Sequence, residues 1–148
     1  MNRRYQTQWA GQFGVAHELT RRGYLVTFTT GNALSDDLLC QSPAGVAFSV
    51  QVKSLSSKTY FLYQKSLEEA PLATRFFVFV LLATDSSIRP EYFVMNKEQF
   101  LTLVEEQKRI LAESEKRRGR AYAEFSPGIN YPIVAQHNFR DAWDNLPS

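Results

Sequence analysis

Apolar and polar residues change their period several times along the chain, and each change predicts an element. From about Gln6 to Arg22 the spacing is helical: Trp9, Phe13 and Ala16 fall on one stripe with Leu19 at its border, and Gly23 follows as a stop. Arg21 and Arg22 suit the negative end of that helix. Gly11, Gly14 and Glu18 share the side opposite Trp9 and Phe13. A glycine inside a helix costs about 1 kcal/mol against alanine, so two of them call for a reason. Close approach of a phosphodiester chain to the surface bearing Glu18 is one; tight packing of the helix on a sheet is the other, and the two weigh equally.

The period then drops to two. Tyr24 to Thr29 predicts a strand ending at the Gly31-Asn32 turn, Asp36 to Gln41 a second, and Ser42-Pro43-Ala44-Gly45 the loop that returns the chain into a third. That third strand, Ala47 to Lys53, puts Val46, Phe48, Val50 and Val52 on one face and Ser49, Gln51 and Lys53 on the other. In the resulting hairpin, Asp37 near the start of one strand lies beside Gln51 and Lys53 near the end of its neighbour. Ser54 to Lys58 reads as a loop and Thr59 to Tyr63 as a short strand. Phe76 to Leu82 is apolar without alternation, as in a central strand buried on both faces, and Glu91 to Val94 adds another. Asn96, with Gln99 three residues on, predicts a capped helix to Arg118 that buries Phe100, Val104 and Leu111 and ends at Gly119. The tail reads as an irregular Tyr122 to Tyr131, a short Pro132 to Ala135 strand, and a helix from Phe139 to Asn145 capped by Asn138.

Composition narrows the class. At 148 residues, 44% hydrophobic and 22% charged, the chain is globular and fits a single domain over residues 1–148. Cys40 stands alone, which excludes an internal disulfide and points to a reducing compartment. Met1 to Gln6 lacks the apolar run of a secretory leader and no stretch approaches about 20 apolar residues, so a cytoplasmic protein without a membrane span is expected. A formal charge of +2 permits nucleic-acid binding without demanding it.

Candidate chemistry centres on the polar face of the third strand. Phosphodiester hydrolysis needs an activated water, neutralisation of charge at phosphorus and help for the departing oxygen, which a divalent cation on oxygen ligands with an adjacent lysine supplies. Glu18, Asp37 and Gln51 are ligands of that kind, and Lys53 shares a face with Gln51. The order Gly14-Val15-Ala16-His17-Glu18, Arg22-Gly23-Tyr24-Leu25-Val26, Asn32, Asp37-Leu38-Leu39 and Gln51-Val52-Lys53-Ser54 resembles the PD-(D/E)XK nuclease superfamily, which includes restriction endonucleases and Holliday junction resolvases. The resemblance covers about the first 55 residues. It implies an α/β fold, a restriction endonuclease-like mixed β-sheet flanked by helices. It also implies catalysis by Glu18, Asp37, Gln51 and Lys53, with Mg2+ held by Glu18, Asp37 and Gln51 and replaceable by Mn2+. Ser35-Asp36 stands where the family has proline before the aspartate, and Gln51 stands where it has an acid, which removes one negative charge.

The expected activity is therefore a metal-dependent DNA endonuclease without a small-molecule cofactor. The rival expectation is an inactive nuclease-fold protein that binds nucleic acid or another protein. A homodimer would present two sites to two strands. Arg21, Arg22, Asn32, Ser54, Lys58, Lys116, Arg117 and Arg118 are candidate nucleic-acid contacts, although basic residues at a helix C-terminus equally complement its dipole. Tyr60, Phe61 and Tyr63 either stack bases or pack in the core or an interface, with packing favoured. His17 and His137 lack paired spacing and read as structural or solvent-facing, with substrate contact the alternative for His17 beside Glu18, and Cys40 reads as a small hydrophobe.

Overall fold

A computed structural model describes residues 3–29, 36–69, 73–123 and 126–148. The fold is mixed α/β. Helix α1 (Arg3–Arg21) leads into β1 (Leu25–Phe28), β2 (Leu38–Gln41) and β3 (Ala47–Leu55), followed by β4 (Tyr60–Leu62), α2 (Ser66–Glu69), β5 (Arg75–Leu81) and β6 (Glu91–Met95). Helix α3 (Lys97–Arg118), β7 (Gly128–Asn130), α4 (Tyr131–Ala135) and a 3₁₀ turn at Trp143–Asn145 complete it. The main sheet has the order β1-β2-β3-β5-β6, with only β3 and β5 parallel, and β4 pairs with β7 in a separate two-stranded sheet.

Strand β5 is central, as its unbroken apolar run predicts, and its two faces belong to two cores. Phe77, Phe79 and Leu81 join Phe61, Phe93, Phe100, Leu103 and Ile129 on the side of α3 and the small sheet. Val78 and Val80 join Val50, Val52, Val94, Val15 and Leu19 on the side of α1. Strand β3 contributes to both sides: Val50 and Val52 face α1, whereas Gln51 and Lys53 lie in register with Phe77 and Phe79.

Helix α1 buries Ala16 and Leu19 of its expected stripe but is rotated so that Gly11, Gln12, Val15 and Glu18 face the sheet in place of Trp9 and Phe13. Its buried residues are Gly11, Gln12, Val15, Ala16, Glu18 and Leu19. Trp9 and Phe13 instead stack on each other at 5.4 Å between ring centroids, and Phe13 is 58% exposed. The glycines explain the rotation. A Cβ on Gly11 would lie 1.7 Å from Ser54 Oγ, and one on Gly14 would lie 2.5 Å from the Tyr92 hydroxyl. The helix sits so close to the sheet that only glycine fits there, so the packing explanation holds and Gly11 and Gly14 are not an open surface.

The other departures have local causes. Ser54 belongs to β3 rather than a loop, because the parallel ladder with β5 continues to Leu55↔Leu81. The irregular segment contains β7, which covers the edge of β4. Pro132 sits at the start of α4, where its missing N–H is harmless, so the expected strand is a helical turn. The last expected helix is only the 3₁₀ turn, because Phe139 and Arg140 run beside β6 instead: Val94 N–H donates to the Phe139 carbonyl at 2.9 Å. Helix α3 starts as expected, with a full capping box between Asn96 and Gln99 and Gly119 closing it in the left-handed conformation at φ 74°. Its buried positions are Phe100, Leu103 and Val104, with Leu111 half-buried near the exposed end. The Gly31-Asn32 turn lies outside the described residues. No described helix is long and apolar enough to cross a membrane.

Candidate active site

Strand lengths create the site. Strand β2 has four residues and β3 has nine, so beyond Val50 the β2 side of β3 has no partner strand among the described residues and the sheet opens into a fork. Asp37 stands at its apex. The Asp37 N–H donates to the Val50 carbonyl at 3.1 Å although Val50 already faces Leu38, an arrangement in which two residues oppose one, as in a β-bulge. That bulge aims the Asp37 carboxylate along β3, where Oδ2 accepts the Val52 N–H at 2.8 Å. The side chain thus takes the place of the missing strand.

Helix α1 reaches the fork with two carboxamides. Gln12 Nε2 donates to Asp37 Oδ1 at 3.2 Å, and Gln8 Nε2 donates to the Val52 carbonyl at 3.3 Å. Neither glutamine stands out by residue type. Their signal is positional: Gln8, Gln12, Val15 and Leu19 form one i, i+3, i+4 stripe, which becomes readable once the glycine face is known to be the inner one.

Gln51 and Lys53 line the fork from the α3 side of β3. Gln51 is only 4% exposed, yet among the described residues its carboxamide has no hydrogen-bond partner and the Lys53 ammonium makes neither a hydrogen bond nor a salt bridge. Among the described residues the one sealed side-chain atom without a partner is Ser54 Oγ, so the polar ends of Gln51 and Lys53 still reach solvent and are open to a ligand from outside the chain. Burial pulls Lys53 below its ordinary pKa, partly offset by the nearby Asp37 carboxylate. Burial pushes Asp37 up, opposed by the Val52 N–H and by Lys53. Asp36, the adjacent carboxylate, is turned away and pairs with Arg75 at 2.8 Å, so Asp37 alone serves the fork.

Glu18 does not reach this place. Helix α1 packs on the valine face of β3, and Glu18 lies six residues beyond Gln12, about 9 Å along the helix. Its carboxylate is held by Arg22 Nη1 at 2.6 Å and by Arg89 Nη2 at 3.1 Å. Burial raises its pKa, but the two guanidinium groups more than offset that and hold it below the ordinary carboxylate value. Arg89 also grips Asp141 through two hydrogen bonds of 2.8 and 3.1 Å, and Arg22 lies over the Trp143 ring at 4.5 Å. Glu18 is thus part of a clamp that fastens the C-terminal segment to α1, and it drops out of the ligand set.

The remaining donors suit a hard divalent cation that keeps most of its water: one carboxylate oxygen set from Asp37 and the unengaged amide oxygen of Gln51. Among the described residues no three His, Cys, Asp or Glu side chains gather closely enough to hold a metal. Of the two donors at the fork only Asp37 carries charge, so these two residues offer an ion a single negative charge.

A cavity of about 390 Å³ adjoins the fork. Its walls include Arg3, Arg4 and Thr7 from the start of α1, Lys53 and Ser54 from β3, and Tyr60 and Leu62 from β4. Of the candidate nucleic-acid contacts, only Ser54 lines this cavity. Arg21 and Arg22 are at the opposite end of α1, Lys58 lies over the Tyr131 ring at 5.3 Å, and Lys116, Arg117 and Arg118 are exposed at the far end of α3, with Arg118 over Tyr122 at 3.9 Å. Asn32 lies outside the described residues. Phe61 and Tyr63 are core residues, and Cys40 is buried with its thiol pushed up to about 12. His137 contacts Glu106 at 2.7 Å and stacks on Phe139, while His17 is exposed. Compared with protein-family models and with curated proteins, the chain matches none.

Proposed function

We propose that this chain is a divalent-metal-dependent nuclease acting on DNA in the cytoplasm, with Asp37, Gln51 and Lys53 as its working residues. One observation carries the reading: a buried carboxamide and a lysine, neither hydrogen-bonded among the described residues, flank the aspartate that caps the open edge of β3. Mg2+ held by Asp37 and Gln51 would supply charge neutralisation at the phosphoryl group. Gln12 and the Val52 N–H fix the carboxylate, so its orientation does not depend on substrate. The Lys53 ammonium steadies negative charge developing on the phosphoryl oxygens, and its burial strengthens that interaction. Arg3 and Arg4 hold the strand's phosphates beside the fork.

The single carboxylate supports a second reading, a nuclease-fold protein that binds DNA without cutting it. Both readings are tested by incubating the chain with supercoiled, linear, single-stranded and branched DNA, with Mg2+ or Mn2+, alongside Asp37→Ala and Lys53→Ala. Cleavage lost in both variants supports the nuclease. Salt-sensitive binding without cleavage supports the second reading, and cleavage that survives both substitutions removes the site assignment.

A further inference from the structure

The cavity beside the fork has features that a metal site does not need. The first turn of α1 has no acidic residue and carries Arg3 and Arg4, the reverse of what the helix dipole favours. Two cations at the positive end of a 19-residue helix concentrate positive potential at one end of the cavity, and Lys53 adds to it at the fork. Strand β4 supplies another part of the lining, through Tyr60, Phe61 and Leu62. On β4, Phe61 points inward and stacks on Phe79 at 4.7 Å, leaving Tyr60 and Leu62 on the outer face at 47% and 49% exposure. Gly128 keeps that face low, since a Cβ there would come within 2.9 Å of the Leu62 side chain and 3.2 Å of Tyr60 Cβ.

Resting on the nuclease reading above, we infer that this cavity selects a single strand with unpaired bases, which stacks a base on Tyr60 while Arg3 and Arg4 hold its phosphates and lead the chain to Lys53. A volume of about 390 Å³ suits a nucleotide or so of single strand and is too small for a duplex with its two backbones. A positively charged track joined to an exposed aromatic ring is the arrangement by which single strands are gripped without sequence preference. Duplex DNA would offer phosphates to Arg3 and Arg4 but no free base face to Tyr60.

The test uses the full chain in EDTA, so that binding is measured without cleavage, and follows the fluorescence anisotropy of a labelled 12-nucleotide single strand and the blunt duplex of the same sequence. The single strand is expected to bind at least tenfold tighter. Tyr60→Ala is expected to weaken it about tenfold, the effect of losing one stacked base, while Tyr60→Phe retains it. Arg3→Ala is expected to lower the slope of log affinity against log salt by about 0.7, one phosphate contact. Duplex binding as tight as the single strand, an unchanged affinity in Tyr60→Ala, or displacement of the strand by a mononucleotide at equal affinity overturns the inference. In the first two cases Mg2+-dependent cleavage of duplex DNA that needs Asp37 and Lys53 would leave the nuclease reading standing. No binding and no cleavage of any DNA removes both.

Discussion

Two regions of this protein bring a carboxylate together with basic side chains on buried ground, and they treat their charges in opposite ways. In the clamp, Glu18 has two guanidinium partners, Arg89 has two carboxylates, and the aromatic faces of Trp143 and Tyr92 cover the cations. In the fork, Asp37 is held by a backbone N–H and a carboxamide, while among the described residues Lys53 and Gln51 make no hydrogen bond and Lys53 has only the nearby Asp37 charge. A fully paired cluster fastens the chain to itself. A cluster left half-paired at the end of an open cavity has unmet demand for a ligand. Sequence chemistry alone ranks Glu18 with Asp37, because both are carboxylates near basic residues; the partners separate them.

The sharpest way to break this contrast is to disable the fork. Lys53→Ala and Asp37→Ala are each expected to lower cleavage of DNA by a hundredfold or more; the urea unfolding midpoint stays near that of the parent chain in Lys53→Ala, which loses no hydrogen bond, and falls in Asp37→Ala, which orphans the Val52 N–H and Gln12, so cleavage is compared per folded molecule. Glu18→Gln in the same assay is expected to leave cleavage per folded molecule unchanged. A loss of cleavage in Glu18→Gln matching that of Asp37→Ala would merge the two regions again.

Next in size is the close fit that brings α1 to the fork. Gly11→Ala forces a methyl group against Ser54 Cβ at 2.8 Å as well as against its hydroxyl, and is expected to destabilise the fold by about 2–3 kcal/mol in urea titration. Adding Ser54→Gly is expected to recover most of that loss, whereas recovery by Ser54→Ala alone would mean that the hydroxyl is the only obstacle.

Clamp variants come third. Glu18→Gln is expected to lower stability by about 1–2 kcal/mol at pH 7, less than a wholly buried pair because Arg22 and Arg89 are partly in water. The folded pKa of Glu18 is depressed, so this stability is present above its unfolded pKa and disappears as pH falls through the folded value. Parent and variant are therefore expected to converge under acid, and a constant gap down to pH 2 would mean that the charge of Glu18 is not what the clamp uses. The fork is expected to show its own pH signature. With Asp37 shifted up and Lys53 shifted down, cleavage needs the ionised forms of both and its profile narrows from each side relative to unperturbed side chains. Smallest of all, Gln51→Leu is expected to change stability by less than about 1 kcal/mol or to raise it, because an apolar group replaces an unpaired amide.

The sheet was readable from the sequence because strands β1, β2, β3, β5 and β6 each carry a plain period or an unbroken apolar run. The capping box at Asn96 and Gln99 was readable for the same reason, since it is local. The face of α1 was not, because apolar periodicity follows the aromatic stripe and two glycines overrule it only through contacts with Ser54 and Tyr92, residues 43 and 78 positions away. Once that face turned, Glu18 left the site and Gln12 entered it. That Asp37 lies close to Gln51 and Lys53 was legible because the β2–β3 hairpin ends at Leu38↔Val50, directly beside all three. Arg3 and Arg4 were not, since nothing local says that the start of α1 overhangs the far end of β3.

The fork is a vacancy in a ladder before it is a set of side chains. Strand β3 presents the backbone groups of Val52 outward only because β2 stops at Leu38, and a carboxylate and a carboxamide from α1 occupy what a longer strand would have filled. Lengthening β2 by two residues of extended chain would let ordinary pairing continue over Val52, displace Asp37 and Gln8 from their posts, and zip the opening shut. Two backbone bonds would replace the two side-chain bonds that Val52 now makes, at no net gain, and the opening proposed to receive a phosphate would be gone.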